Sequence, residues 1–178
     1  MKILGISGSL RKGSLNTQLL HAARELAPEG VDIEIAGINE IPLFNEDLQA
    51  QGFPPATQSF RERIALADAL LFATPEYNYS MPGVLKNAID WASRPPAQPF
   101  AGKKAGIMGA SMGGFGTARA QYHLRQTGVS LDIHFMNRPE VMVGAAHEKF
   151  DPEGRLIHEP TREQLRKFLA ALAKFVAG

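Results

Sequence analysis

The stretch that decides the fold is KILGISGSLRKGSLNT, residues 2–17. Lys2–Ser7 is a short, mainly apolar run ending in serine, a pattern that predicts a buried strand. A polar loop rich in glycine and serine follows. Apolar positions then recur at helical spacing before Pro28 and Gly30 end the pattern: Leu15, Leu19, Ala22, Ala23 and Leu26. The opening is therefore a strand, a loop and a helix.

Strand and helix patterns continue to alternate along the rest of the chain. Further strands are predicted at Val31–Ala36, Ala69–Ala73, Lys103–Ala110 and Leu131–Met136, and Val141–Val143 is a candidate for a short strand of its own. Helices are predicted across Ser59–Leu66, from Val84 to Ala92, after the glycines at 113–116, and over Thr161–Ala177. Thr161 and Gln164 fit a capping box at the start of the last helix. Residues 38–55, rich in proline and glycine, are predicted to form a long loop.

This alternation predicts one fold class. Strands that alternate with helices form a parallel sheet with helices on both faces. We therefore predict a three-layer, doubly wound α/β sandwich whose five-stranded parallel sheet has the strand order 2-1-3-4-5. The 178 residues are the size of a single domain, so residues 1–178 are predicted to form one.

Composition excludes several function classes. The chain has no cysteine, which excludes disulfides, thiolate metal sites and a cysteine nucleophile, and weakly suggests a reducing compartment. The net charge of +1 gives no reason to expect nucleic acid or an anionic membrane as a partner. No apolar run approaches the roughly 20 residues of a membrane span. We expect a cytoplasmic protein with no membrane insertion.

In the predicted order, ligands bind beyond the carboxyl ends of the strands, where the strand order reverses between strands one and three. The loop Ser7–Thr17 supplies hydroxyls, an amide, Arg11 and a helix N-terminus, a combination that favours an anion. Neither the Walker A pattern nor the dinucleotide G-x-G-x-x-G matches it. The loop is therefore predicted to hold a single phosphomonoester; an ordinary serine-rich turn is the alternative.

Two further loops leave the same predicted edge. Thr74–Gly83 alternates aromatic, amide and carboxylate groups between prolines, which suits a flat heterocycle. Ala110–Gly116 is a glycine cluster that permits close approach of a ligand. For these loops the alternatives are a proline-rich structural turn and a glycine-rich helix start that only aids packing.

The segments GSLRKGSLN, TPEYNYSMPGVLKNAIDW and SMGGFGTARAQYHLRQ resemble the NADPH-dependent FMN reductase family, in particular its quinone and chromate reductases. The resemblance implies a flavodoxin-like fold, FMN as cofactor, NADPH or NADH as electron donor, small-molecule acceptors such as quinones, and a homo-oligomer, either a dimer or a homotetramer built as a dimer of dimers. It implies a phosphate loop of Ser9, Arg11, Ser14, Asn16 and Thr17, a ring-lining segment of Pro75, Glu76, Tyr77, Asn78, Tyr79 and Ser80, and a third contact through Ser111 and Gly113.

No catalytic side chain and no metal site are predicted, because the flavin would carry the redox chemistry. The five histidines show no metal-ligand spacing: His21, His123, His134, His147 and His158. Trp91 is expected in the core or at an interface. Arg119 and Tyr122 share a helix face, and two alternatives stay open for their side chains: exposure to solvent, or contact with a partner subunit.

Two other functions remain open at this stage: a non-catalytic electron carrier of the flavodoxin type, and a phosphate-binding regulatory domain without cofactor. Such carriers are typically strongly acidic, which a net charge of +1 does not match. For the reductase, several acceptors and both NADH and NADPH stay open as substrates.

Overall fold

The computed structural model describes all 178 residues, and its elements follow the predicted alternation. The strands are β1 (Lys2–Ser7), β2 (Asp32–Ala36), β3 (Ala69–Ala73), β4 (Lys104–Ala110), β5 (His134–Phe135) and β6 (Val141–Val143). The helices are α1 (Leu15–Glu25), α2 (Glu46–Gln49), α3 (Pro55–Leu66), α4 (Gly83–Ala92), α5 (Ala118–Ser130), a 3₁₀ turn (Ala146–Glu148) and α6 (Glu159–Ala177).

The sheet is parallel throughout, with the order β2-β1-β3-β4-β5. In its centre, Ile3 of β1 pairs with Ile33 of β2 on one side and with Ala69 of β3 on the other. The predicted fold class and strand order are confirmed. The reversal of strand order between β1 and β3 is the point at which a doubly wound sheet opens a crevice for ligands.

The fifth strand differs from the prediction of one strand over Leu131–Met136. Two short strands, β5 and β6, occupy this position in turn, and both pair in parallel with β4; β6 confirms the short strand expected at Val141–Val143. The chain leaves the sheet between them, where Pro139 has no N–H for the ladder and Arg125 of α5 donates a 2.9 Å hydrogen bond to the Met136 carbonyl. The sheet therefore has six strands rather than five.

Two hydrophobic clusters cover the two faces of the sheet. Helices α1 and α6 pack on one face, where Leu19 and Phe168 are fully buried against strand residues such as Leu71. Helices α3, α4 and α5 pack on the other face, which includes Phe60 and Leu85. These are the three layers that the sequence predicts.

Two helices begin two or more residues earlier than predicted. Helix α3 starts at Pro55, four residues before the predicted Ser59, because proline suits a first helical turn. Helix α6 starts at Glu159, so the capping box at Thr161 is wrong. The Thr161 hydroxyl instead lies 2.8 Å from His158 Nδ1, and the Gln164 amide donates to the Glu140 carbonyl at 2.9 Å.

The long loop over residues 38–55 contains α2 and is tied to α4. Asn87 of α4 donates to the Pro42 carbonyl and accepts from the Phe44 N–H, both at 2.8 Å. The Trp91 indole donates to the same Pro42 carbonyl at 2.8 Å, and its side chain is fully buried. Trp91 is thus a core residue of this chain. No helix combines the length and apolar character needed to cross a bilayer.

Candidate active site

Three loops meet at the carboxyl edge of the sheet, around the switch point between β1 and β3. The Gly8 N–H donates to the Ala73 carbonyl at 2.8 Å, and the Thr74 N–H donates to the Met108 carbonyl at 3.1 Å. A Cβ on Gly8 would lie only 3.1 Å from Pro75 Cδ, so the first two loops pack closely there because position 8 has no side chain. The loops selected from the sequence are therefore neighbours in space.

The first loop ends at the N-terminus of α1 with several groups free to bind an anion. Ser14 is the buried N-cap residue, and the main-chain N–H groups of Leu15 and Asn16 have no partner within the protein. The Arg11 guanidinium is exposed and makes no hydrogen bond, while its main-chain N–H donates to Ser9 Oγ at 3.3 Å. Free N–H groups, a helix dipole and a cation together suit one phosphate.

Two predicted phosphate ligands in this loop have their side chains engaged by the protein. The Asn16 amide bonds to the main chain of Ala110, and the Thr17 hydroxyl lies 2.8 Å from Ser7 Oγ. Asn16 therefore offers a ligand its main-chain N–H rather than its amide. The Thr17 N–H approaches Ser14 Oγ at 3.4 Å, so Thr17 holds the loop together.

The second loop presents a tight hairpin turn. Tyr77 and Ser80 exchange two main-chain hydrogen bonds of 3.0 Å, and the two central residues have positive φ, 50° at Asn78 and 68° at Tyr79. The side chain of Asn78 makes no hydrogen bond, and Tyr77 and Tyr79 are 53% and 67% exposed. The turn thus offers an amide and two aromatic rings at the edge of the site, while Pro75 is buried beneath it.

Glu76 has a role that the sequence did not reveal. Its carboxylate accepts hydrogen bonds from the N–H groups of Arg119 and Ala120, at 3.0 and 3.3 Å, and pairs with the Arg119 guanidinium at 2.5 Å. Thr117, which precedes α5, provides no side-chain cap. Glu76 therefore caps α5 although it lies 43 residues away in sequence. Because its carboxylate is used in this way, only the main chain of Glu76 is available to a ligand.

Two glycines of the third loop differ in their surroundings: the fold requires a glycine at position 116, whereas Gly113 borders open space. Gly116 has a φ of 55°, and a Cβ there would collide with the main chain of Met142. A Cβ on Gly113 would meet no atom within 4 Å. Ser111 donates its hydroxyl to the Gly113 carbonyl at 3.0 Å. There is therefore open space on the Cβ side of Gly113.

The sequence did not point to His123 as a residue beside the site, and it gave Arg119 no definite role. His123 Nδ1 lies 2.9 Å from Ser80 Oγ, and Arg119 contacts Glu76 and the Tyr79 ring. The two residues are four apart on α5 and so share a helix face, which is the only signal the sequence offers. Tyr122 is exposed, with its hydroxyl 3.5 Å from Glu140.

Comparison with known proteins gives this site a family. The sequence model of the NADPH-dependent FMN reductases matches residues 1–148. The chain belongs to that family. The resemblance in the three loops is thereby confirmed, and this reductase is an oxidoreductase enzyme with FMN as cofactor and NAD(P)H as electron donor.

Two relatives and one solved structure show how far the similarity of this reductase extends. An NAD(P)H-dependent FMN reductase of Pseudomonas aeruginosa is 63% identical over 176 residues, covering 99% of this chain and 95% of that protein. An NAD(P)H:quinone oxidoreductase of Solanum tuberosum is 51% identical over 178 residues, covering 97% and 91%. A flavoenzyme NAD(P)H:(acceptor) oxidoreductase from Paracoccus denitrificans superposes with a TM-score of 0.90 at 35% identity, covering 99% and 97%.

The residues of this reductase fit FMN. The cluster of unpartnered N–H groups beside a free guanidinium, at the N-terminus of α1, matches the single phosphate of FMN. The turn at Tyr77–Ser80 and the open edge at Gly113 present main-chain and aromatic groups where a flat ring system would lie.

Proposed function

We propose that this protein is a single-domain, FMN-dependent reductase over residues 1–178 that transfers two electrons from NADPH or NADH to quinones, in the cytoplasm. The quinone oxidoreductase name of the Solanum tuberosum relative supports quinones as acceptors. The observation that carries the proposal is the free helix N-terminus of α1 and the unengaged Arg11 at the switch point, beside an exposed aromatic turn.

The phosphate end of the proposed site uses the first loop. Arg11, the hydroxyls of Ser9 and Ser14, and the main-chain N–H groups of Leu15 and Asn16 bind the phosphate, and the dipole of α1 adds to their attraction. Thr17 acts within the loop through its bond to Ser7. Each of these groups is uncharged or positive, as a dianionic ligand requires.

The ring end of the proposed site uses the second and third loops. Main-chain groups of Pro75–Ser80 run along the ring, the Tyr77 and Tyr79 side chains shield it from water, and Ser111 and Gly113 approach its polar edge. When bound, FMN supplies the hydride and electron chemistry. The protein's contribution is therefore to hold the ring in place and leave one face accessible, without an acid–base side chain.

One accessible ring face would serve the donor and the acceptor in turn, so we propose a ping-pong mechanism. Initial rates of NADPH oxidation at several fixed benzoquinone concentrations test it. Parallel double-reciprocal lines are expected, whereas intersecting lines would mean a ternary complex and two separate sites. Chromate, ferric complexes, and azo or nitro compounds are proposed as further acceptors, because an exposed reduced ring donates electrons with little selectivity.

We also propose that the active form is a homo-oligomer, a dimer or a dimer of dimers, that covers the open side of the site. Apolar side chains left exposed on the three loops support this: Leu10, Tyr77, Tyr79, Met112 and Phe115. Light scattering at micromolar concentration should give a multiple of 19.4 kDa. Met112→Asp should weaken assembly, and Ile157→Asp, also at an exposed apolar residue but on another loop, should not. A monomer of wild type would overturn the proposal.

A further inference from the structure

We propose that Arg119 is a positioning residue: it holds the turn Tyr77–Ser80 in place by stacking on Tyr79 and pairing with Glu76. The role of this turn beside the FMN ring rests on the function proposed above. The contacts that hold the turn involve protein groups alone, so the two claims are tested separately. Arg119 itself is assigned no contact with cofactor or substrate.

The turn needs support from outside itself. Asn78 and Tyr79 both have positive φ, a conformation that residues other than glycine adopt at a cost in free energy. Only two main-chain hydrogen bonds, between Tyr77 and Ser80, close the turn, and an isolated hairpin of that size is unstable in water. A turn that is both strained and exposed stays in one conformation only if neighbouring side chains fix it.

Arg119 supplies that support through the plane of its guanidinium. Its Cζ lies 3.7 Å from the centroid of the Tyr79 ring and 4.6 Å from that of the Phe115 ring. A guanidinium stacked on aromatic rings gains both dispersion and cation–π attraction. Since Phe115 belongs to the third loop, one side chain links the two loops that border the proposed ring site.

The ion pair with Glu76 fixes the other end of the same segment. One carboxylate oxygen of Glu76 binds the Arg119 guanidinium, and the other accepts the main-chain N–H groups of Arg119 and Ala120. The Glu76 side chain is only 9% exposed and that of Arg119 is 33% exposed, so the carboxylate end of the pair is the shielded one. Arg119 thus contacts the residue before the turn as well as its third residue.

His123 adds a weaker contact one helical turn further along α5. Its Nδ1 lies 2.9 Å from Ser80 Oγ at the end of the turn, and its side chain is exposed. We therefore expect His123 to contribute less to holding the turn than Arg119 does.

The variant Arg119→Lys distinguishes the positioning of the turn by Arg119 from the capping of α5 by Glu76. Lysine keeps the positive charge for Glu76, and the main-chain N–H groups that Glu76 caps are unchanged. It lacks the planar group that stacks between Tyr79 and Phe115. The proposal therefore expects Arg119→Lys to keep the thermal stability of wild type but to lose the ordering of the turn.

The test measures amide exchange at Tyr77 and Ser80 by NMR in the full-length protein, together with FMN affinity by fluorescence titration. Arg119→Ala and Arg119→Lys should each speed exchange at both amides by about tenfold and weaken FMN binding by about tenfold, as expected for loss of one strong contact. Arg138→Ala, which removes an exposed arginine elsewhere, is the matched control and should change neither the exchange rates nor the FMN affinity.

In amide exchange, Tyr79→Ala should reproduce the Arg119→Lys result, and the double variant should add little to either, because both remove the same stack. Unchanged exchange in Arg119→Lys and Tyr79→Ala overturns the proposal, even if Arg119→Ala fails to fold. Faster exchange with unaltered FMN affinity overturns the positioning role. If wild type binds no FMN, the proposed function fails, and the exchange rates alone decide whether Arg119 holds the turn.

Discussion

The side-chain amide of Asn16 forms two hydrogen bonds with the main chain of Ala110, both 2.9 Å long: Nδ2 donates to the carbonyl and Oδ1 accepts from the N–H. Asn16 is in the first turn of α1, and Ala110 is the last residue of β4. This buried contact joins the proposed phosphate loop to the start of the third loop. It therefore sets the separation between the two ends of the site.

Replacing Asn16 with aspartate tests this contact. Asn16→Asp keeps the acceptor but places a carboxylate oxygen against the Ala110 carbonyl, so a buried hydrogen bond becomes a repulsion. We expect a loss of about 2–4 kcal/mol in the free energy of unfolding, measured by urea denaturation. Asn39→Asp makes the same change at an exposed asparagine and should have little effect. Equal effects of the two variants would contradict a structural role for the Asn16 amide.

Arg11→Ala should weaken FMN binding without unfolding the protein. A charge-assisted hydrogen bond to phosphate contributes about 1.5–3 kcal/mol, so the dissociation constant should rise about 10- to 150-fold. The exposed Arg11 side chain makes no hydrogen bond within the protein, so the melting temperature without FMN should not change. Lys167→Ala, which removes an exposed charge from α6, is the control for net charge. Unaltered flavin affinity in Arg11→Ala would show that the guanidinium binds something else.

Arg61 should be essential for stability although it lies away from the site. Its guanidinium donates to the carbonyls of Ala92, Arg94 and Ala97 at 2.5–2.7 Å, and it also stacks on Phe53 at 4.0 Å. Burial lowers the pKa of this guanidinium. Arg61→Met leaves these carbonyls without their donors, and we expect a loss of about 3 kcal/mol in the free energy of unfolding. Arg138→Met, at an exposed arginine, should change it by less than about 0.5 kcal/mol.

Asp151 should make stability depend on pH on the acid side. Burial works to raise the pKa of its carboxyl, but the main-chain N–H and guanidinium of Arg155, at 2.7 and 2.6 Å, outweigh it and hold that pKa below its ordinary value. A carboxyl with a lowered pKa stabilises the fold above the unfolded-state pKa, near 4, and loses this effect as pH falls through the folded-state pKa.

The corresponding variant is Asp151→Asn. Its melting temperature should lie below that of wild type at pH 7, and the difference should shrink as the pH is lowered towards about 3. Glu153→Gln changes an exposed carboxyl 3.5 Å from the same arginine and should follow wild type. A difference that stays constant over this pH range would mean that the Asp151 charge does not stabilise the folded state.

The sequence predicts what is set by local pattern. The strand, loop and helix over residues 2–25 follow from apolar spacing, and the parallel sheet follows from the alternation of strands and helices. The three loops at the carboxyl edge follow from the topology, and the resemblance named the family. These predictions succeed because each depends on neighbours in sequence or on a general rule of parallel sheets.

What the sequence could not predict depends on contacts between distant residues. The cap that Glu76 provides for α5 joins residues 43 apart, and the Asn16–Ala110 contact joins residues 94 apart. Strand β5 ends at Phe135, one residue before the predicted end, and the next carbonyl, that of Met136, accepts a hydrogen bond from Arg125, 11 residues away. In each case a polar side chain that was predicted to bind a ligand, or that had no predicted role, forms hydrogen bonds with main-chain groups of the protein instead.

The measurement that tests the central claim most directly is the oxidation of NADPH or NADH by the FMN-saturated, full-length protein with benzoquinone as acceptor. We predict oxidation that depends on both benzoquinone and protein, saturates with each substrate, and at limiting FMN is lower in Arg11→Ala. An FMN-saturated protein that oxidises neither nucleotide when benzoquinone is present would contradict the assignment of this site as that of a quinone reductase.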